Sequence, residues 1–156
     1  MAIVQIPLWY ASEGGTAMDL ACRVSSLAAR RQLVMRAEGF DEVLGQTISN
    51  GSLNGSTGSD DGGTSEGRSG DIVTRLRACS APSGGLAVFI VSTTGDGEVP
   101  RNMARAWRSL LKKSLPRDAL KGVSFALYGL GDMGYGHKFC AAARKLDARL
   151  RQLGAL

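Results

Sequence analysis

Residues 86–91, LAVFIV, place six apolar side chains in a row between Gly84-Gly85 and the polar loop STTGDGEVP. A run of that length cannot cross a membrane, and its β-branched and aromatic members favour a strand buried on both faces. Such a strand belongs in a parallel sheet, where helical crossovers supply the cover. This one segment therefore asks for strands that alternate with helices.

The rest of the chain answers. Ala2–Tyr10 is a second, mostly apolar run, with Pro7 awkwardly inside it. LVM, within Gln32–Phe40, is a short third that ends near Gly39, and Gly122–Tyr128 (GVSFALY) reads as a fourth buried strand. Between these runs apolar residues recur at helical spacing. Leu20, Val24 and Leu27 follow Thr16, and Ile72, Val73 and Leu76 fall in Asp71–Ala78. Met103, Trp107, Leu110 and Leu111 follow the second loop, and Phe139, Leu146, Leu150 and Leu153 close the chain. The β-α-β-α-β-α-β-α pattern predicts a doubly wound α/β fold with right-handed crossovers and helices on both faces. Trp9, Met103 and Trp107 are expected in its core.

At 156 residues the chain is read as one domain spanning 1–156, long enough for a substantial core. Residues 45–70 break the pattern, with eight Gly and six Ser and only Ile48 and Leu53 as sizeable apolar residues. That is too little apolar surface to offset chain entropy, so the segment reads as a disordered surface insertion. Cys22, Cys79 and Cys140 are odd in number and in no metal-ligand spacing, which fits reduced thiols in a cytoplasmic protein. No signal peptide or membrane span is visible, and no metal site is expected. The net charge is +5, concentrated at Arg101–Arg117 and Arg144–Arg151. Aromatic residues do not interleave with these cations and no nucleic-acid motif appears, so an acidic protein partner is expected rather than nucleic acid.

Three loops follow predicted strands, at 11–16, 92–99 and 129–138, and all are rich in Gly, Ser, Thr and Asp. In an open α/β sheet they meet at the carboxyl edge, where ligands bind. The first, in LWYASEGGTA, runs from a strand through Gly14-Gly15-Thr16 into a helix. Amides at a helix start are unpaired and partially positive, so such a loop can cradle an anion. It has no lysine of the kind a triphosphate loop needs, which points to a single phosphate group.

Three stretches carry a resemblance. They are Ser12-Glu13-Gly14-Gly15-Thr16-Ala17; Ser92-Thr93-Thr94-Gly95-Asp96-Gly97-Glu98-Val99-Pro100 with Asn102-Met103; and Leu127-Tyr128-Gly129-Leu130-Gly131-Asp132 through Tyr135. Together, over 2–44 and 71–156, the chain resembles the flavodoxin-like FMN module of NADPH-dependent diflavin reductases, in the branch serving cytosolic iron–sulfur assembly. The resemblance implies that Ser12, Glu13, Gly14, Gly15, Thr16 and Ala17 hold the FMN phosphate, although the family usually has Thr at the position of Gly14. It implies that Ser92, Thr93, Thr94, Gly95 and Asp96 run along the flavin ring. The carbonyl at Gly95 would turn to accept the ring N5–H after reduction, and Thr94 stands where many relatives stack a Tyr. Leu130, Gly131, Asp132 and Tyr135 would close the other side, with Tyr135 as the stacking aromatic. His137 and Phe139 lie in the same segment; for His137 a solvent-facing bystander is the alternative. Asp96, Glu98 and Asp132 read either as an acidic rim around the ring or as loop caps.

The resemblance further implies electron transfer from NADPH through FAD to FMN and on to an anamorsin-like iron–sulfur protein. The FAD- and NADPH-binding reductase module is expected to lie outside these 156 residues, and no residue is expected to act as a catalytic acid, base or nucleophile. Family members continue into a fifth strand. The expectation here is therefore a flavodoxin-like sheet of four strands in the order 2-1-3-4, with 122–128 an open edge that invites dimerisation. Two other readings keep the same fold: a flavin-free interaction module docking an acidic partner through 101–117 and 144–151, and a stand-alone flavodoxin.

Overall fold

The computed structural model describes residues 5–45, 72–81 and 84–156. The insertion expected at 45–70 lies, apart from Gly45, outside the described residues. Four parallel strands form one sheet in the order β2-β1-β3-β4: β1 Gln5–Ala11, β2 Val34–Gly39, β3 Leu86–Ser92 and β4 Ser124–Leu130. The helices are α1 Thr16–Arg30, α2 Phe40–Gly45, α3 Ile72–Ser80, α4 Ala104–Leu110 and α5 Ala141–Gln152. Short 3-10 turns at Arg101–Met103 and Met133–Lys138 lead into the last two.

Alternation along the strands decides which helix covers which face. Leu8 and Tyr10 of β1 and Ile90 of β3 point to α1, where Ala17 and Ala21 meet them. Trp9 and Phe89 point the other way, into a core closed by α2, α3, α4 and α5 through Phe40, Leu76, Leu110 and Leu146. Trp9 meets the Phe40 ring edge-on at 5.7 Å, and Phe40 stacks on Phe89 at 5.5 Å. Met103 is fully buried beside them and Trp107 is half-buried against the same cluster. Pro7 is tolerated because pairing of β1 with β3 begins only at Leu8, opposite Val88.

Several sequence expectations need correction. β4 begins and ends two residues later than expected, because Gly129 and Leu130 continue the ladder opposite Val91 and Ser92. It is not buried on both faces: Ser124, Ala126 and Tyr128 are exposed, while Phe125 and Leu127 pack inward. Its outer side is not wholly open either. The Leu156 amide donates to the Val123 carbonyl at 2.9 Å, and the Phe125 amide donates to the Leu156 carbonyl at 2.8 Å. Leu27 and Leu111 are exposed, since α1 packs through small alanines that let it lie close to the sheet and α4 ends at Leu110. Phe139 precedes the last helix, which starts at Ala141. The six-residue helix α2 was not expected; it is too short to show a period, yet it buries Phe40, Val43 and Leu44.

Candidate functional site

Because the strands are parallel and in this order, the loops after β1, β3 and β4 stand side by side at one edge. The first runs from Ser12 to Gly15 and opens α1. Gly15 occupies the N-cap with φ +88°, a left-handed conformation that strains any residue with a Cβ, and offers no side-chain cap. Ser12 Oγ instead accepts the Ala17 amide at 3.3 Å. The amides of Gly14, Gly15 and Thr16 have no partner among the described residues. Gly14 borders open space and the Thr16 side chain is exposed. These are donors facing solvent at the positive end of a 15-residue helix. The Glu13 amide likewise has no partner among the described residues, while its carboxylate accepts the Arg101 amide at 2.9 Å.

The second loop is a tight turn after β3. Thr94 pairs with Glu98 in an isolated antiparallel bridge, and Gly95 and Gly97 sit at its corner with φ +45° and +90°. Two hydroxyls are already engaged. Thr93 Oγ1 accepts the Ala142 amide at 3.3 Å, capping α5, and Ser92 Oγ donates to the Ala11 carbonyl at 3.0 Å, locking the ends of β1 and β3 together.

The third loop presses on the start of α5. A Cβ on Gly131 would lie 2.7 Å from the Cys140 amide nitrogen, and one on Gly129 would lie 2.8 Å from the Ala143 methyl. These glycines are therefore where the loop meets the helix most closely. Between the second and third loops lies a cavity of about 130 Å³, lined by Thr93, Gly95, Gly131, Asp132, Tyr135 and Lys138. Tyr135 is 61% exposed there, an aromatic face with no packing role in the core. Lys138 Nζ reaches back across the two loops to Asp96 at 2.7 Å.

The geometry sorts the residues singled out from the sequence. Thr93, Gly95, Gly131, Asp132 and Tyr135 come together around the cavity. Gly14, Gly15, Thr16, Ser12 and Ala17 form the adjoining cradle. Asp96 and His137 line a neighbouring groove along α5 instead, and Phe139 borders neither hollow. The His137 carbonyl accepts the Arg144 guanidinium. Leu130 ends β4 and packs toward α1. Thr94 and Ser92 serve the turn and the strand ends. Lys138 was not singled out from the sequence, although a lysine three residues after an aromatic in a polar loop was visible there. Of the acidic trio, Asp132 caps its own turn by accepting the Gly134 amide at 2.7 Å. The Lys138 ammonium, by hydrogen bond and then by charge, holds the Asp96 carboxyl below the usual aspartate value. Asp132 thus acts as a loop cap, whereas Asp96 is neither a cap nor a free carboxylate but the partner of Lys138. Among the described residues no helix is long and apolar enough to cross a membrane, and no cluster of metal-ligating side chains occurs.

Comparison with known proteins fits this geometry. The family model described as Flavodoxin matches residues 62–156. NADPH-dependent diflavin oxidoreductase 1 of Danio rerio is 36% identical over 146 residues, covering 94% of this chain and 19% of the relative. The protein of the same name from Mus musculus is 32% identical over 154 residues, covering 99% of this chain and 20% of the relative. In Schizosaccharomyces pombe the figure is 54% over 68 residues, covering 44% of this chain and 12% of that protein. The chain thus spans about a fifth of the length of the first two relatives. Among solved structures, a cysteine-to-alanine mutant of flavodoxin from Pseudomonas aeruginosa superposes with a TM-score of 0.62 at 19% identity, covering 97% of this chain and 77% of that one. Oxidised flavodoxin 1 from Bacillus cereus gives 0.61 at 14% identity, covering 97% and 78%.

Proposed function

The chain belongs to the flavodoxin family, and on that premise we propose that it is an FMN-binding electron-transfer module. One observation carries the reading: a single sheet edge presents amides at Gly14, Gly15 and Thr16 that have no partner among the described residues, beside a cleft framed by Thr93, Gly95, Gly131 and Tyr135. The donor set suits FMN. Three backbone N–H groups and the Thr16 hydroxyl match a phosphate monoester, and hydrogen bonds to a charged group contribute about 1.5–3 kcal/mol each. The absence of a loop lysine suits one phosphate better than three. Tyr135 offers a face for a flat heterocycle, and such stacking adds about 0.5–1.5 kcal/mol beyond burial.

When bound, FMN supplies the redox chemistry, accepting and releasing electrons. The protein binds, orients and presents it. Gly95, at φ +45°, has the backbone freedom to turn its carbonyl toward a ring N–H, and the Lys138–Asp96 pair joins the loops on either side of the cleft. The Danio rerio and Mus musculus relatives are NADPH-dependent diflavin oxidoreductases of about five times the length. We therefore place this module downstream of an FAD- and NADPH-binding reductase module, in the cytoplasm, with an anamorsin-like iron–sulfur protein as electron acceptor.

The test is a titration of the purified chain into FMN. Flavin fluorescence should be quenched with one-to-one stoichiometry. An unchanged flavin spectrum and fluorescence at high protein concentration would leave the flavin-free interaction module as the better reading. The partner is tested separately, by mixing photoreduced, FMN-loaded chain with an oxidised anamorsin-type protein and following the iron–sulfur absorbance.

A further inference from the structure

One internal hydrogen bond, from the Ala17 amide to Ser12 Oγ, spans the anion cradle, and the rest of its support comes from outside. Two contacts of opposite polarity strap it to the 3-10 turn before α4, across some 90 residues of chain. The Ser12 amide donates to Asn102 Oδ1 at 2.9 Å, and the Arg101 amide donates to Glu13 Oε2 at 2.9 Å. Asn102 Nδ2 lies 3.5 Å from the Tyr10 carbonyl, so the same side chain also borders the end of β1. The turn that carries Asn102 is firmly anchored. Met103 is fully buried, and the Asp41 carboxylate accepts the amides of Arg105 and Ala106 at 3.1 and 2.9 Å. The loop itself has little else to define it, since Gly14 and Gly15 carry no side chain to pack and Gly14 touches nothing within 4 Å.

We propose that Asn102, supported by Glu13, is a positioning residue that preshapes the phosphate cradle and so sets the preference for a phosphorylated flavin over its unphosphorylated form. This inference rests on the FMN reading above. The physical argument is preorganisation. A glycine-rich loop that must order itself on binding loses affinity in proportion to the order it lacks beforehand. Asn102 fixes the direction of the Ser12 backbone; Ser12 Oγ in turn holds the Ala17 amide, and the amides between them have no partner among the described residues. Glu13, bound to Arg101, is kept from turning its charge toward the anion. Neither contact reaches the cleft framed by Thr93, Gly95, Gly131 and Tyr135, so the ring has no share in the effect.

Riboflavin carries the same ring without the phosphate, and the ratio of FMN to riboflavin affinity isolates the cradle. N102A should lower FMN affinity by about threefold to tenfold while riboflavin affinity stays at the wild-type value. E13A should lower the ratio in the same direction, whereas E13Q, which keeps an acceptor for the Arg101 amide, holds it at or above wild type. Equal losses for both flavins in N102A, or an unchanged ratio in N102A and E13A, would overturn the inference while leaving FMN binding intact. If N102A does not fold, the contrast between E13A and E13Q decides it. A wild-type chain that binds neither flavin removes both this inference and the reading beneath it.

Discussion

Gly131→Ala and Gly14→Ala should behave as opposites, although both glycines lie in loops of the same sheet edge. A methyl carbon on Gly131 would lie 2.7 Å from the Cys140 amide nitrogen, 3.2 Å from its sulfur and 3.3 Å from its Cα. Cys140 cannot easily retreat. It already holds a left-handed φ of +50° and heads α5, whose Ala141, Ala142 and Ala143 are buried. Relaxed non-bonded contacts need separations of roughly 3.5–4 Å, so the loop must lift from the helix by about 1 Å. Overpacking of this kind costs about 1–3 kcal/mol. At about 2–4 °C per kcal/mol for a domain of this size, the midpoint of about 2 kcal/mol lowers Tm by about 4–8 °C. Gly14 has nothing within 4 Å of an added Cβ and no left-handed φ, so Gly14→Ala should stay within about 0.5 kcal/mol of wild type. Guanidinium denaturation followed by circular dichroism, with m-values compared, measures both. A Gly131→Ala protein as stable as wild type, or a Gly14→Ala protein as damaged as Gly131→Ala, would refute the close approach of loop and helix.

Other consequences can be checked independently. The Asp96 carboxyl titrates low because of Lys138, so Lys138→Met should move its midpoint upward in a carbon-detected NMR titration. The folded value being depressed, any stabilisation from the pair is present above the unfolded aspartate value and is lost as pH falls through the folded one; an unmoved midpoint would contradict the pairing. Burial and the neighbouring Glu38 raise the Cys79 thiol, with Arg75 only partly opposing them, whereas Cys22 is exposed. Iodoacetamide at mildly alkaline pH should therefore label Cys22 well before Cys79, and mass spectrometry showing the reverse order would count against the packing of α3. Beyond the rung made by Leu156, the outer side of β4 has no strand partner among the described residues. Concentration-dependent association by light scattering is the expected result, and a monomer over a wide range would show that the edge is adequately protected.

The central strands and the helices that follow them were legible because burial on two faces and helical spacing leave direct marks in a sequence. LAVFIV became β3 almost residue for residue, and Thr16 opened α1 as its position after two glycines implied. What failed were features that depend on neighbours. GVSFALY reads like a buried strand, but as the edge strand it has only one covered face, and its end was set by the partners Val91 and Ser92 rather than by its own glycine. Leu27 fits the helical stripe, yet Ala17 and Ala21 make the contact, because close approach of α1 to the sheet favours small side chains. The residue types of the candidate site were readable, but the contacts their side chains make were not. A linear reading does not show that the Glu13 carboxylate and the Ser92 and Thr93 hydroxyls are engaged with Arg101, Ala11 and Ala142. Asn102 gave no sign of reaching Ser12, since nothing local records a contact across 90 residues.

Flavin binding at this edge requires three separate loops to act as one receptor. Assigned amide NMR spectra recorded with increasing FMN test this most directly. The predicted result is a set of large shifts confined to 13–17, 93–96 and 131–138, with the far ends of the strands unmoved. Shifts limited to a single loop, or spread over surfaces remote from that edge, would contradict it.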